Sequence, residues 1–217
     1  MDMYEAKKSA DMRLCESVCK VLISHGFKAC AVKNSEEALK TALSLIPEKA
    51  TVGVPGTVTV RQIGLIKALE DRASKVYVHW DPKLTAETRP QRHIDQLTSD
   101  WFVTSTNALS ADEGAFVNID GTGNRVGAMA WGTGKLLYIV GINKITADLA
   151  SAMKRARDEA TPPNVLRLDG KAPCASVGHC VNCKNYDTKP CRITTIMELP
   201  PFGRECHVII VGEPLGY

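Results

Sequence analysis

Two stretches constrain the fold most: Leu136-Leu-Tyr-Ile-Val140 and Cys206-His-Val-Ile-Ile-Val-Gly212, each apolar almost without interruption and far too short to cross a membrane. A strand that is apolar on both faces has to be covered on both, which is the situation of a central strand in an α/β sheet. Further short strands are predicted at Phe27 to Val32, Thr51 to Val54, Val76 to His79, Trp101 to Thr104 and Ala115 to Ile119. Between them the apolar spacing turns helical. Met12, Cys15, Val18, Cys19 and Leu22 recur on one face of an N-terminal helix within 1–26, stopped by Gly26. A helix capped by Asn34 or Ser35 runs to about Leu45, where Pro47 ends it; others are expected from Val60 to Glu70 and from Thr146 to Ala160, before Pro162-Pro163. The alternation predicts a three-layer α/β fold with a mainly parallel sheet covered by helices, in a single domain over 1–217.

Composition narrows the partners. With 44% hydrophobic and 24% charged residues the chain is an ordinary globular one, and a net charge of +3 from dispersed lysines and arginines gives no basic stripe for nucleic acid. No apolar run reaches the length of a membrane span, and the N-terminus lacks the apolar stretch of a signal peptide. The expectation is a cytoplasmic protein, in which eight cysteines serve as thiols or metal ligands rather than as a disulfide framework.

The polar chemistry collects in the turns that follow strands. Asn107-Ala-Leu-Ser-Ala-Asp-Glu-Gly-Ala-Phe-Val-Asn-Ile-Asp-Gly-Thr-Gly-Asn-Arg125 concentrates Asp112, Glu113, Asp120, Asn124 and Arg125 around three glycines. Gly114 stands where a turn needs positive φ, and Asp120 to Arg125 reads as a loop whose backbone approaches a ligand closely; a solvated surface turn is the plainer alternative. Gly53-Val-Pro-Gly-Thr-Val-Thr-Val-Arg-Gln-Ile-Gly64 puts Gly56, Thr57 and Thr59 at a helix start, where free N–H groups suit an anion. It lacks the Walker lysine and the three-glycine dinucleotide fingerprint, and Thr59 alone would do as a cap. Lys144 follows the Leu136 strand and could neutralise a carboxylate or phosphate or simply start a helix on the surface; Arg89-Pro-Gln-Arg-His93 lies in a polar excursion, with His93 a candidate base or a solvated loop histidine. Because ligands of open α/β sheets gather at the carboxyl ends of the strands, these motifs are expected to share one cleft.

Cys174, Cys180, Cys183 and Cys191 are spaced C-x5-C-x2-C-x7-C within eighteen residues. Zinc sites more often use two CxxC knuckles, and only Cys180-Val-Asn-Cys183 qualifies; iron–sulfur clusters accept one CxxC supplemented by distant thiolates. A [4Fe–4S] cluster on a cysteine-rich insertion over 172–192 is therefore preferred to zinc, with unmetallated thiols a third option and Cys206 or His179 as substitute ligands. Four cysteines saturate a cubane, which favours a structural staple or electron transfer. Cys15 and Cys19, four apart on an apolar stripe, read as buried thiols.

Gly114 to Arg125, Leu136 to Lys144, the Gly53 loop and the Cys174 to Cys191 segment together resemble the lactate-utilisation (LUD) domain family. The resemblance implies a fold like those of CoA transferases, ribose-phosphate isomerases and sugar-phosphate deaminases, and a place in organic-acid metabolism, without fixing a reaction. By that likeness a carboxylate near the central motif acts as nucleophile or general base: Glu113 first, Asp120 as the alternative, in a transferase- or isomerase-like reaction. Arg125 would hold a substrate carboxylate, Asn107 and Asn124 would orient it, and Gly56, Thr57 and Thr59 would take its anionic tail. The competing reading is an accessory or electron-carrying subunit of a lactate-oxidising complex, with redox partner proteins, since no flavin or nicotinamide motif is present. The apolar N-terminal helix offers a surface for pairing with a second copy.

Overall fold

The computed structural model describes residues 2–72 and 74–217. Six parallel strands form the main sheet: β1 (Lys28–Val32), β2 (Thr51–Val54), β3 (Lys75–Val78), β4 (Trp101–Thr104), β7 (Lys135–Gly141) and β10 (Cys206–Val211), in the order β1-β10-β7-β4-β2-β3. The two apolar stretches of the sequence, β7 and β10, are neighbours near its middle and pair along Cys206↔Leu136 to Val211↔Gly141. Their side chains alternate between two cores. Leu137, Ile139, Ile209 and Val211 face a core with α2 (Ser35–Leu45), α3 (Val58–Gln62) and α4 (Leu65–Asp71); Leu136, Tyr138, Val208 and Ile210 face the other.

That other face departs from expectation. Helix α1 (Met3–Ser24) lies there, presenting Cys15, Val18, Cys19 and Leu22 at helical spacing, with the Asp2 carboxylate accepting the Glu5 N–H at its start. The expected N-terminal helix is thus found, although Met1 lies outside the described residues. The remainder of the face is covered by α6 (Asn124–Ala130) and a second, four-stranded sheet, β8-β5-β6-β9, built from β5 (Ala108–Ser110), β6 (Phe116–Asp120), β8 (Ile145–Thr146) and β9 (Ile193–Met197). Phe116 of β6 stacks on Tyr138 of β7 at 4.4 Å between ring centroids and joins the two sheets.

Three boundaries shift for local reasons. The helix expected over Val60 to Glu70 is two short helices, because Gly64 takes a left-handed φ of 75° between them. Helix α7 (Leu149–Asp158) ends before Pro162-Pro163, and those prolines occupy the first turn of α8 (Thr161–Arg167), where a missing N–H leaves no helical bond unmade. The loop expected from Asp120 to Arg125 already starts α6 at Asn124. The polar excursion contains α5 (Arg89–Leu97), and the cysteine segment holds one short helix, α9 (Cys174–Val177). Among the described residues no helix is long and apolar enough to cross a membrane.

Candidate functional site

The carboxyl ends of β2, β3, β4 and β7 open into one cleft of about 280 Å³. Gly56 and Thr57 follow β2, His79 and Trp80 follow β3, Ser105 to Asn107 follow β4, and Lys144 lies in the 3-10 turn after β7. The opposite wall comes from the end of β6 with Asp120 and Arg125, from α8 with Thr161 and Arg167, and from Pro190 and Cys191 of the cysteine segment. Of the residues expected at the site, Gly56, Thr57, Asn107, Asp120, Asn124, Arg125 and Lys144 are brought together here, as is Cys191.

Lys144 is the least ordinary group. It is 4% exposed, and its Nζ donates to the Thr59 and Ser105 hydroxyls, each at 3.0 Å. Among the described residues no carboxylate pairs with it. Burial, followed by the like charges of Arg155 and Arg125, lowers its pKa to about 7. Thr59 stands behind this amine rather than on the cleft wall: its hydroxyl receives the Lys144 bond and donates to the Leu215 carbonyl at 3.4 Å. Arg155, buried and donating to the backbone oxygens of Asn143 and Asn107, braces the turn that carries Lys144.

Asp120 and Arg125 are committed to each other and to backbone. The Asp120 carboxylate accepts the N–H groups of Gly121 (2.7 Å), Thr122 (3.3 Å), Arg125 (3.0 Å) and Val126 (3.2 Å), so it anchors the entry to α6. Burial opposes its charge, but the Arg125 guanidinium and those amides outweigh it and hold the carboxyl below the usual range. A carboxylate so held is a weak base. Arg125 donates through Nη2 to Asn107 Oδ1 (3.0 Å) and the Ile119 carbonyl (2.5 Å), with Nε 3.9 Å from Asp120. A two-pronged grip on substrate is thereby reduced to Nη1, which has no protein partner among the described residues. Asn107 accepts the Ile119 N–H at 2.9 Å, and Asn124 accepts the Thr122 hydroxyl at 2.6 Å. Thr57 differs from all of these. Its hydroxyl is buried on the cleft wall with no partner among the described residues, so it is open to a partner from water or a ligand.

Glu113 lies elsewhere. It is exposed in the turn between β5 and β6, accepting the Ser110 hydroxyl, and the adjacent Gly114 (φ 58°) packs against Val21 and His25 at the end of α1. The turn needs its glycine as expected, but it points at the N-terminal helix and not into the cleft. Gly121 likewise owes its bare backbone to a neighbour within the chain, since a Cβ there would sit 3.1 Å from the Pro190 carbonyl. Two wall residues carry no motif signal. His79 stacks on His93 with Nδ1 3.2 Å from His93 Nε2; burial, then the neighbouring His93, lowers its pKa. Trp80 lies against Gly56, with the guanidinium groups of Arg61 (4.6 Å) and Arg167 (4.1 Å) over its ring. Their placement directly after a strand was the available clue.

All eight cysteines are free. Cys174 is buried against Val165 and Ala172, and Cys180, Cys183 and Cys191 are half-buried; burial and then mutual proximity of these thiols raise the pKa of Cys174. Four neighbouring thiols on a segment with little regular structure fit the donor chemistry of an iron–sulfur cluster or zinc. The ligand geometry is not assembled: among the described residues no three Cys, His, Asp or Glu side chains stand in a metal-holding group. The substitutes do not join them. Cys206 sits in the β10 core, where burial pushes its thiol up to about 11, and His179 is exposed with Nδ1 3.2 Å from the Val177 carbonyl. Cys15 and Cys19 are buried in α1, pushed by burial to about 11 and about 12.

A parallel α/β sheet with a polar cleft at its strand ends defines the class of protein. Within that class the chain belongs to the LUD domain family, whose model matches residues 15–211. A DUF162 family protein from Deinococcus radiodurans, solved at 1.70 Å resolution, is similar in fold with a TM-score of 0.54 at 11% identity, over 93% of this chain and 98% of its own. No curated protein matches the sequence.

Proposed function

We propose that the cleft binds a small anion, carrying a carboxylate or phosphate, in organic-acid metabolism of the lactate type. The observation that carries this reading is Lys144, a buried amine on the cleft wall surrounded by hydroxyls and arginines and lacking a carboxylate partner among the described residues. Such a site has excess positive potential in a poorly solvated place, and an anion would relieve it. Thr57 offers an unspent hydroxyl, and Arg125 Nη1 an unspent donor, to the same ligand. Glu113, remote from these groups, has no part in the proposal.

The reading is tested by calorimetric titration with lactate, pyruvate and inorganic phosphate. At least one should bind, and Thr57→Val should weaken it about tenfold, the loss of roughly one hydrogen bond to a charged acceptor. Absence of binding by all three at millimolar concentration would overturn it.

A specific contact favours a redox role beside binding. Pro190 and Cys191 are part of the cleft wall, with the Cys191 thiol 3.7 Å from the Thr161 hydroxyl. A [4Fe–4S] cluster on Cys174, Cys180, Cys183 and Cys191 would therefore border the bound ligand and could pass electrons to partner proteins in a cytoplasmic setting. Oxygen-free purification should yield iron and acid-labile sulfide in equal amounts; zinc alone would remove the redox reading and leave the anion cleft.

A further inference from the structure

The cleft places an amine, and not only a cation, beside a seat for a carboxylate. Thr59 cannot take Lys144's proton load as an acid or anion: it is a neutral hydroxyl that already donates to the Leu215 carbonyl and so presents its lone pair to Nζ. The Ser105 hydroxyl provides the second contact. Two hydroxyls therefore orient the amine through its N–H groups, as a free amine with two hydrogens allows. The nearest charged side chains acting on it, Arg155 and Arg125, are both cations, and they disfavour the ammonium form. Gly216 lies close against the far side of the group, where a Cβ would fall 3.1 Å from Nζ, so the amine is held between the tail and the two hydroxyls with the cleft as its open side. Arg125 Nη1 on the opposite wall and the Thr57 hydroxyl on the same wall as Lys144 have no protein partner among the described residues.

We propose that Lys144 is a nucleophile that forms an imine with the carbonyl of a small 2-oxo acid whose carboxylate is held by Arg125 and Thr57. This names the substrate class of the anion site and rests on that reading. The Nζ lone pair forms the C–N bond at C2 while the carbonyl electron pair moves to oxygen, which is protonated; Nζ releases a proton. The resulting carbinolamine loses its hydroxyl as water after a second protonation of oxygen, and the nitrogen lone pair forms the C=N bond as Nζ releases its second proton. The protons exchange with the solvent of the cleft. The balance is one amine and one ketone giving one imine and one water, so no oxidant or reductant is needed. A desolvated lysine is suited to this chemistry because only its free base attacks.

The full chain would be incubated with pyruvate at pH 7, then treated with sodium borohydride, and its intact mass and peptide map recorded. L-lactate, which has the same carboxylate and no carbonyl, is the parallel probe. One reduced pyruvate adduct on the peptide bearing Lys144 is expected, none with lactate, and complete loss of the adduct in Lys144→Met and Lys144→Arg, whose folds are checked by circular dichroism. Lys144→Arg keeps the positive charge, so it should still bind pyruvate in the calorimeter. Pyruvate binding to the wild type without an adduct would overturn the imine and leave the anion site standing. An adduct that persists in both variants would also overturn it. Absence of both pyruvate binding and an adduct would overturn the imine, and if lactate and inorganic phosphate also fail to bind, the anion site falls with it.

Discussion

The two ends of the main sheet handle polar groups in opposite ways. At the amino ends of β1, β2, β4, β7 and β10 charged side chains are paired within the chain, although the buried Ser74 hydroxyl before β3 and Arg204 Nη2 before β10 have no partner among the described residues. Glu205, immediately before β10, accepts the Lys28 Nζ at 2.7 Å, the Lys135 Nζ at 2.9 Å and the His207 Nε2 at 2.6 Å, which ties the starts of β1, β7 and β10 together. Asp100, before β4, accepts the N–H and hydroxyl of Thr51 at the start of β2. At the carboxyl ends the Thr57 hydroxyl has no partner among the described residues and Lys144 has no carboxylate. Both ends belong to the same ladder of parallel strands, so strand pairing does not cause the difference. One end closes the sheet; the other keeps donors available, which is the arrangement of an α/β ligand site.

The sharpest way to break the closed end is steric. A Cβ on Gly134, just before β7, would lie 2.0 Å from the Ser99 carbonyl oxygen and 2.4 Å from that of Asp100. Both are backbone atoms, so no side-chain rotation relieves the clash and the strand start has to move. Gly134→Ala should cost roughly 3 kcal/mol or more in a urea unfolding titration. The folded fraction should bind anions like the wild type. Lost affinity in that fraction would show that the two ends are not separable.

At the open end the expected change has the opposite sign. The pKa of Lys144 is about 7 in the folded chain, against about 10.4 for an unburied lysine. Below pH 7 both folded and unfolded chains carry the proton, and the folded state bears the whole penalty of a buried ammonium. Between those two values the unfolded chain holds more protons, so stability rises with pH. Lys144→Met should therefore be more stable than the wild type by on the order of 3 to 5 kcal/mol below pH 7, with the gap closing towards pH 10. Anion binding should be lost at the same time. A variant less stable than the wild type at pH 6 would mean that the two hydroxyl contacts outweigh desolvation.

The sequence showed the closed part of the molecule better than the open part. Uninterrupted apolar runs such as Leu136 to Val140 admit few environments, and the strand–helix alternation led to a parallel sheet. Position after a strand placed Thr57, Asn107, Asp120 and Lys144 at one cleft, and all four line it. What it could not rank was the use of each charge. Glu113 and Asp120 are both carboxylates in one glycine-rich run, yet one faces solvent beside α1 and the other is taken up by four backbone amides and Arg125. That division depends on β5 and β6 pairing as a hairpin and leaving the main sheet, a long-range event that local pattern does not encode. His79, a single histidine at a strand end, has no spacing signature; its partner His93 is fourteen residues away.

The smallest effect belongs to Glu205, and it checks whether the closed end is held by charge at all. Hydrogen bonds from Lys28, then His207 and Lys135, hold its carboxyl well below the usual glutamate range. A depressed folded value means that the stabilisation is fully present above the unfolded value, about 4.3, and is lost as pH falls below it. The side chains of Lys28 and Lys135 are 60% and 48% exposed, so water and salt screen each pair, and Glu205→Gln should cost only about 1 kcal/mol in dilute buffer at pH 7. The difference from wild type should shrink in about 1 M salt, where screening acts over about 3 Å, and should diminish as pH falls below about 4.3, disappearing only once pH has passed below the depressed folded value. The gain from Lys144→Met should persist in the same salt, because a desolvation penalty inside the fold is not screened by ions outside it. A salt-independent loss at Glu205 would assign its role to shape and hydrogen bonding rather than charge, leaving Lys144 as the sheet's one electrostatically governed end.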